Sequence, residues 1–168
     1  MADAQLSLGT CYENGKGVET NEVEAVKWYR KAAEHGNDLA KYFLGMCYKH
    51  GVGVAQSAAE AEVWFDKIKS PMVLCQIGDG FIHSDTSEAA KWFRKAAEHE
   101  GKSGDDTKRI EKIFVGYAQY KLGLSYLLGK GVPQNTGEGV KWLKEAARNG
   151  YEKAQETLDK IPKLEGVK

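Results

Sequence analysis

The residues of this chain best suited to nucleophilic, redox or metal chemistry are three cysteines and four histidines. Cys11, Cys47 and Cys75 are widely spaced, and neither a Cys-x-x-Cys nor a His-Glu-x-x-His spacing occurs. Metal ligands in such motifs converge because they share one turn or one helix face, so neither a metal nor a cofactor is expected. His35 and His99 each close a predicted second helix, where a cation favours the negative helix end. His50 stands near the end of a first helix and can face a ligand, while His83 lies in an irregular turn. Gly101-Lys102-Ser103 resembles the end of a phosphate-binding loop, but that loop needs a glycine at position 96, which is Ala96, and a preceding strand. No Ser-x-x-Lys or Gly-x-Ser-x-Gly sequence nominates a nucleophile. The expectation is a protein that is not an enzyme, with no catalytic residue to name.

Composition narrows the remaining classes. A chain of 168 residues with 42% apolar and 29% charged side chains buries an ordinary core. Its 24 basic and 24 acidic residues cancel, which leaves no electrostatic footprint for nucleic acid. No apolar run approaches the roughly 18 residues of a membrane span, so no membrane insertion is expected. The odd cysteine count fits a reducing compartment and favours the cytoplasm. A periplasmic or secreted chain whose leader has been removed fits the same sequence.

What remains is a repeat. The four tryptophans, Trp28, Trp64, Trp92 and Trp142, each follow a helix N-cap by seven residues: Asn21, Ser57, Asp85 and Asn135. Three residues after each cap comes Glu24, Glu60, Glu88 or Glu138, the spacing of a capping box. Nineteen residues before three of the tryptophans stand Gly9, Gly45 and Gly123, preceded by Leu8, Leu44 and Leu122. Ala4, Ala40 and Ala118 lie four residues before those leucines; Tyr12, Tyr48 and Tyr126 lie four after. Alanine, leucine and tyrosine at i, i+4 and i+8 form one helical stripe. A doubled glycine ends each first helix, as in Gly15-Lys-Gly17-Val18. Each unit is therefore a helix, a glycine turn and a second helix, with small residues gathered around one large tryptophan. Such units are stable only when stacked.

These residues resemble the Sel-one-like repeat family, relatives of the tetratricopeptide repeats. The match lies in Ala-x₃-Leu-Gly-x₂-Tyr-x₂-Gly-x-Gly-Val followed by a Trp-aromatic-x-Lys-Ala-Ala helix, nearly complete over Ala4 to Gly36. It implies an all-α fold, a right-handed α/α solenoid of four helix–turn–helix repeats plus a C-terminal capping helix. It also implies an adaptor or scaffold that binds a protein or peptide partner. The cysteines do not match the disulfide-rich secreted branch of the family. Cell-wall-related hydrolysis is suggested only by a distant branch.

The expected layout is a single solenoid domain over 1–168. Its repeats run from about 2–36, 37–69, 70–100 and 105–150, with a linker at 101–104 and a capping helix at about 151–160. Tryptophan spacings of 36, 28 and 50 show that repeat three is short and that extra residues precede Trp142. Met72 to Ile77 is expected to form only a brief helix before Gly78-Asp-Gly80, where no close match to the pattern survives. Ile110, Ile113, Phe114 and Tyr117 predict that the fourth first-helix is extended to about 20 residues, capped by Asp105 or Asp106.

First helices of a solenoid line its concave surface. Met46, His50, Tyr117, Leu124 and Leu128 are the candidate groove for a peptide partner. The alternative for Leu124 and Leu128 is internal packing against the short third repeat, and Tyr42 and Tyr120 are read as inter-repeat core. No polar capping helix precedes Ala4, so either more sequence stands before it or the first helix exposes apolar surface for self-association.

Overall fold

The computed structural model describes residues 1–99 and 105–161, with side chains at 1–99 and 109–161. The linker expected at 101–104, the Gly101-Lys102-Ser103 sequence and the capping side chains of Asp105 and Asp106 lie outside the described residues. The described residues form nine helices and no strand. They pair as α1 (Ala2–Asn14) with α2 (Glu22–Glu34), α3 (Asp38–His50) with α4 (Ala58–Asp66), α5 (Pro71–Phe81) with α6 (Thr86–Ala97), and α7 (Asp105–Leu128) with α8 (Thr136–Arg148). A ninth helix, α9 (Glu152–Leu158), follows.

The second helices start where their caps predict. Asn21, Ser57, Asp85 and Asn135 accept hydrogen bonds from the backbone N–H groups of Glu24, Glu60, Glu88 and Glu138. Only this half of the capping box is built. The N–H of each cap residue instead donates to a stripe carbonyl: Tyr12, Tyr48, Phe81 and Tyr126, at 2.9, 2.9, 2.8 and 2.9 Å. Three of the glutamates pair with lysines one turn on: Lys27–Glu24, Lys91–Glu88 and Lys141–Glu138. First helices stop at Gly15, Gly51 and Gly129, whose φ of 68°, 72° and 64° is left-handed backbone that a side chain opposes.

Within each repeat the glycine of the stripe seats a ring. A Cβ on Gly9 would lie 2.6 Å from the Tyr29 ring; on Gly45, 2.3 Å from Phe65; on Gly78, 2.8 Å from Phe93. In repeat four the partner is Leu143, at 2.9 Å from a Cβ on Gly123. The residue after each tryptophan thus fills the repeat, and Tyr29, Phe93 and Leu143 are almost completely buried. The tryptophans do not share one central role. Trp64 and Trp92 are buried, whereas Trp28 and Trp142 are half-buried. Residues adjacent on a helix point about 100° apart, so the residue after each tryptophan, and not the tryptophan, faces the glycine.

Gly78 shows that α5 is a full member of the series. The helix runs eleven residues, through the glycines expected to end it. Val73, Ile77, Gly78 and Phe81 take the places of Ala4, Leu8, Gly9 and Tyr12. Helix interiors tolerate glycine when close packing compensates its backbone entropy, and Phe93 supplies that packing. What repeat three lacks is five residues of turn: nine positions separate Tyr12 from Asn21, but four separate Phe81 from Asp85.

The chain divides into two compact units, Met1–Lys69 and Ser70–Lys168. In the first unit α2 covers α3. Ala40 and Leu44 are 0% exposed, Tyr29 stacks on Phe43 at 5.3 Å, and the Arg30 guanidinium donates to the Tyr48 hydroxyl. Lys41 and Asp38 pair at 2.5 Å and bind the backbone of Lys67 and Lys69, tying the end of α4 to the start of α3. In the second unit α6 covers α7 in the same way. Ala118 and Leu122 are 0% exposed, and Arg94 donates to the Tyr126 hydroxyl. The buried Gln119 amide donates to the Ala97 carbonyl and accepts from Asn149. The extension of α7 runs beside α5, where the Cys75 thiol donates to the Phe114 carbonyl at 3.4 Å. Ile110 and Ile113 of that extension are exposed. Ala154, with Leu158 and Ile161, packs on Leu143 and Ala146 and closes the unit.

Candidate partner-binding site

A cavity of about 410 Å³ opens in the second unit between the turn of repeat three, α6 and α7, lined among others by Ile82, His83, Phe93, Leu124, Leu128 and Lys130. Two local departures from the repeat account for it. The turn of repeat three is shortened, and its Ile82 and His83 line the cavity. On α7, Lys121 stands immediately before Leu122, where α3 carries Phe43 before Leu44. In the first unit that phenylalanine covers Tyr29; in the second, the Phe93 ring has a lysine ammonium 5.8 Å away instead.

The floor is apolar and the rim is cationic. Lys121 is held at one edge, 3.5 Å from the Asp79 carboxylate and 5.2 Å from the Tyr117 ring centroid. Tyr117 donates to the same carboxylate at 2.7 Å. Burial, together with that hydrogen bond, pushes the Tyr117 phenol far above the ordinary tyrosine range and keeps it a neutral donor. Lys130 and the exposed His83 stand on the rest of the rim. Leu128 is 60% exposed and is the most open apolar residue of the lining.

The candidate groove residues do not all meet there. Leu124 and Leu128 line the cavity. Tyr117 is engaged internally, edge-on to Phe93 and to Tyr151. Met46, half-buried, and His50, exposed, lie on α3 in the first unit. Tyr42 packs on Phe43 and Phe65, and Tyr120 on Tyr151. Sequence reasoning missed Ile82, His83, Phe93, Lys121 and Lys130. The readable signals were the missing turn residues and a lysine where repeat two has a phenylalanine. Burial raises the Cys47 thiol to about 11 and Cys75 to about 12, so both are weak nucleophiles at neutral pH.

The Sel1 repeat model matches residues 2–37, 38–68, 73–100 and 116–151. The chain belongs to the Sel1 repeat family. It is similar to the crystal structure of a Sel1 repeat protein from Oxalobacter formigenes, with a TM-score of 0.52 and 30% identity, over 96% of this chain and 45% of that one. A protective antigen of uropathogenic Escherichia coli with an SLR fold matches at a TM-score of 0.44 and 24% identity, over 94% and 40% of the two chains. This Sel1 repeat chain therefore spans less than half the length of these relatives. Sel1 repeat proteins are generally protein–protein interaction modules, and the fold is typically a non-catalytic scaffold. Among the described residues no helix is long and apolar enough to cross a membrane.

Proposed function

We propose that this Sel1 repeat chain binds a peptide segment of a protein partner in the cavity between α6 and α7. The ligand is a bulky apolar side chain flanked by a carboxylate. The observation that carries the reading is the joining of apolar walls, the half-buried Leu124 and the exposed Leu128 beside the buried Phe93 ring, to a rim of Lys121, Lys130 and His83. Binding sites of this kind use apolar anchors for affinity and few polar groups for orientation. Exposed rim cations contribute modestly and in a salt-sensitive way.

Leu128→Glu tests this, because an exposed leucine is replaced without opening the core. Peptides selected from a random library against the native protein should be enriched in an apolar residue next to aspartate or glutamate. Their affinity should fall at least roughly tenfold in Leu128→Glu, a loss of about 1.4 kcal/mol, while circular dichroism stays unchanged. Selected peptides that bind both proteins equally place recognition elsewhere.

A further inference from the structure

The basic side chains of the cavity between α6 and α7 are not equivalent. His83, Lys121 and Lys130 line it, and no carboxylate does, although the chain as a whole has as many acids as bases. Lys121 already has a counter-charge. Its ammonium lies 3.5 Å from the Asp79 carboxylate, which the Tyr117 hydroxyl also holds at 2.7 Å, and it stands over the Tyr117 and Phe93 rings. His83 and Lys130 are exposed, and among the described residues neither side chain has an ion-pair or hydrogen-bond partner.

Backbone contacts place these two cations at the start of α6. Lys130 stands between Gly129 and Gly131, both in left-handed conformation, and its N–H donates to the Ser125 carbonyl at 3.0 Å. Gly131 packs so closely on Thr86 that a Cβ there would collide with the Thr86 carbonyl. His83 precedes Thr86 by three residues, in a turn closed by the Ser84 and Asp85 N–H groups, which donate to the Phe81 carbonyl at 3.1 and 2.8 Å. Thr86 itself lines the cavity. In repeat two the residue matching Lys130 is Val52. Lys121, by contrast, lies seven residues before Leu128 on α7, about 10 Å back along the helix at roughly 1.5 Å per residue.

We infer, resting on the peptide-binding reading above, that His83 and Lys130 hold the carboxylate of the peptide and that protonation of His83 controls its binding. The apolar side chain then lies against Leu124 and Leu128, and the acid points to the start of α6. The charged groups that share the cavity with His83 are Lys121 from α7 and Lys130 from the turn after it; α6 contributes Thr86, Ala89 and Phe93. The acids of the adjoining elements are engaged. Asp79 of α5 meets Lys121 and Tyr117, Asp85 accepts from the Ser87 and Glu88 N–H groups, and Glu88 pairs with Lys91. Imidazoles gain their positive charge as pH falls from about 8 to about 5, whereas aspartate stays ionised down to about pH 5. Binding of an acidic peptide therefore strengthens as pH falls through that range.

The probe is the tightest peptide selected against the native protein, blocked at both ends and synthesised with its acidic residue or with the matching amide. Calorimetry should show the acidic form binding about fivefold tighter than the amide near pH 5.5, and about twofold tighter near pH 8, as exposed ion pairs allow. By linkage, the acidic peptide should raise the His83 titration midpoint, followed by NMR, by about 0.4 pH unit, with His35, His50 and His99 as internal references. His83→Gln should remove the pH dependence. Lys130→Gln should lower the acid-to-amide ratio more than Lys121→Gln does, with circular dichroism confirming that each variant is folded. A ratio that does not change with pH, or one that Lys121→Gln lowers more than Lys130→Gln, overturns the inference. Leu128→Glu separates the two readings. If it weakens binding while the ratio survives in His83→Gln and Lys130→Gln, only the placement of the carboxylate fails. Undiminished binding in Leu128→Glu, or a selection that returns no acidic peptide, overturns the cavity reading and this inference with it.

Discussion

Trp64 is 7% exposed, and the Lys67 ammonium lies 4.0 Å from its ring centroid. Trp64→Ala should cost about 3–5 kcal/mol, as for other large aromatics removed from a core, measured by urea denaturation. Trp28 occupies the same repeat position but is half-buried, so Trp28→Ala should cost clearly less. Equal losses, or a loss below about 1 kcal/mol for Trp64, would contradict this ranking. The tryptophans were conspicuous in the sequence because they are rare and regularly spaced. The glycine–ring contacts that seat each first helix were not. Gly9 meets Tyr29 across twenty residues, and periodicity alone does not say which of two adjacent aromatics turns towards the partner helix.

Among elements, the glycine turns separate two roles that the sequence presents as one. Gly17 and Gly53 have φ of 76° and 66°, so an alanine at either suffers the strain of left-handed backbone, about 1–2 kcal/mol. Only at Gly53 does the new methyl also strike a backbone carbonyl, that of Glu22. Gly53→Ala should therefore be the more destabilising by about 1–3 kcal/mol, and thermal melts of the two variants should resolve it. The caps, stripe residues and most helix bounds were legible because they are local patterns of three to eight residues. The course of α5 was not. Gly78 and Gly80 read as breakers until the Phe93 ring explains Gly78, and tertiary contact outweighs helix propensity. The cavity was half-legible: Leu124 and Leu128 follow from the apolar face of α7, whereas Phe93 and Ile82 reach it only through the stacking of repeats.

For the whole chain, alkaline pH is the sensitive variable. Cys47 in the first unit and Cys75 in the second have thiols raised to about 11 and 12, mainly by burial, and burial also raises Tyr29 and Tyr117. Near neutral pH these thiols are protonated in both folded and unfolded chains. Above about pH 9 the unfolded chain releases thiol protons that the folded chain keeps, so it binds fewer protons and stability falls as pH rises. Urea midpoints should hold near neutral pH and decline from about pH 9 towards 11–12. Replacing Cys47 and Cys75 with alanine should flatten that decline, and an equally steep decline would assign it to other groups. Repeat three also shows where the architecture permits change. Its link from the Asp85 N–H to the Phe81 carbonyl persists at 2.8 Å although five turn residues are gone. The stretch between those two groups behaves as a cassette that can be trimmed or grown while the helices keep their register. A lineage built this way could diversify what it recognises as antibody domains do, by varying loops on a fixed framework, and the same joint is where a foreign loop could be grafted.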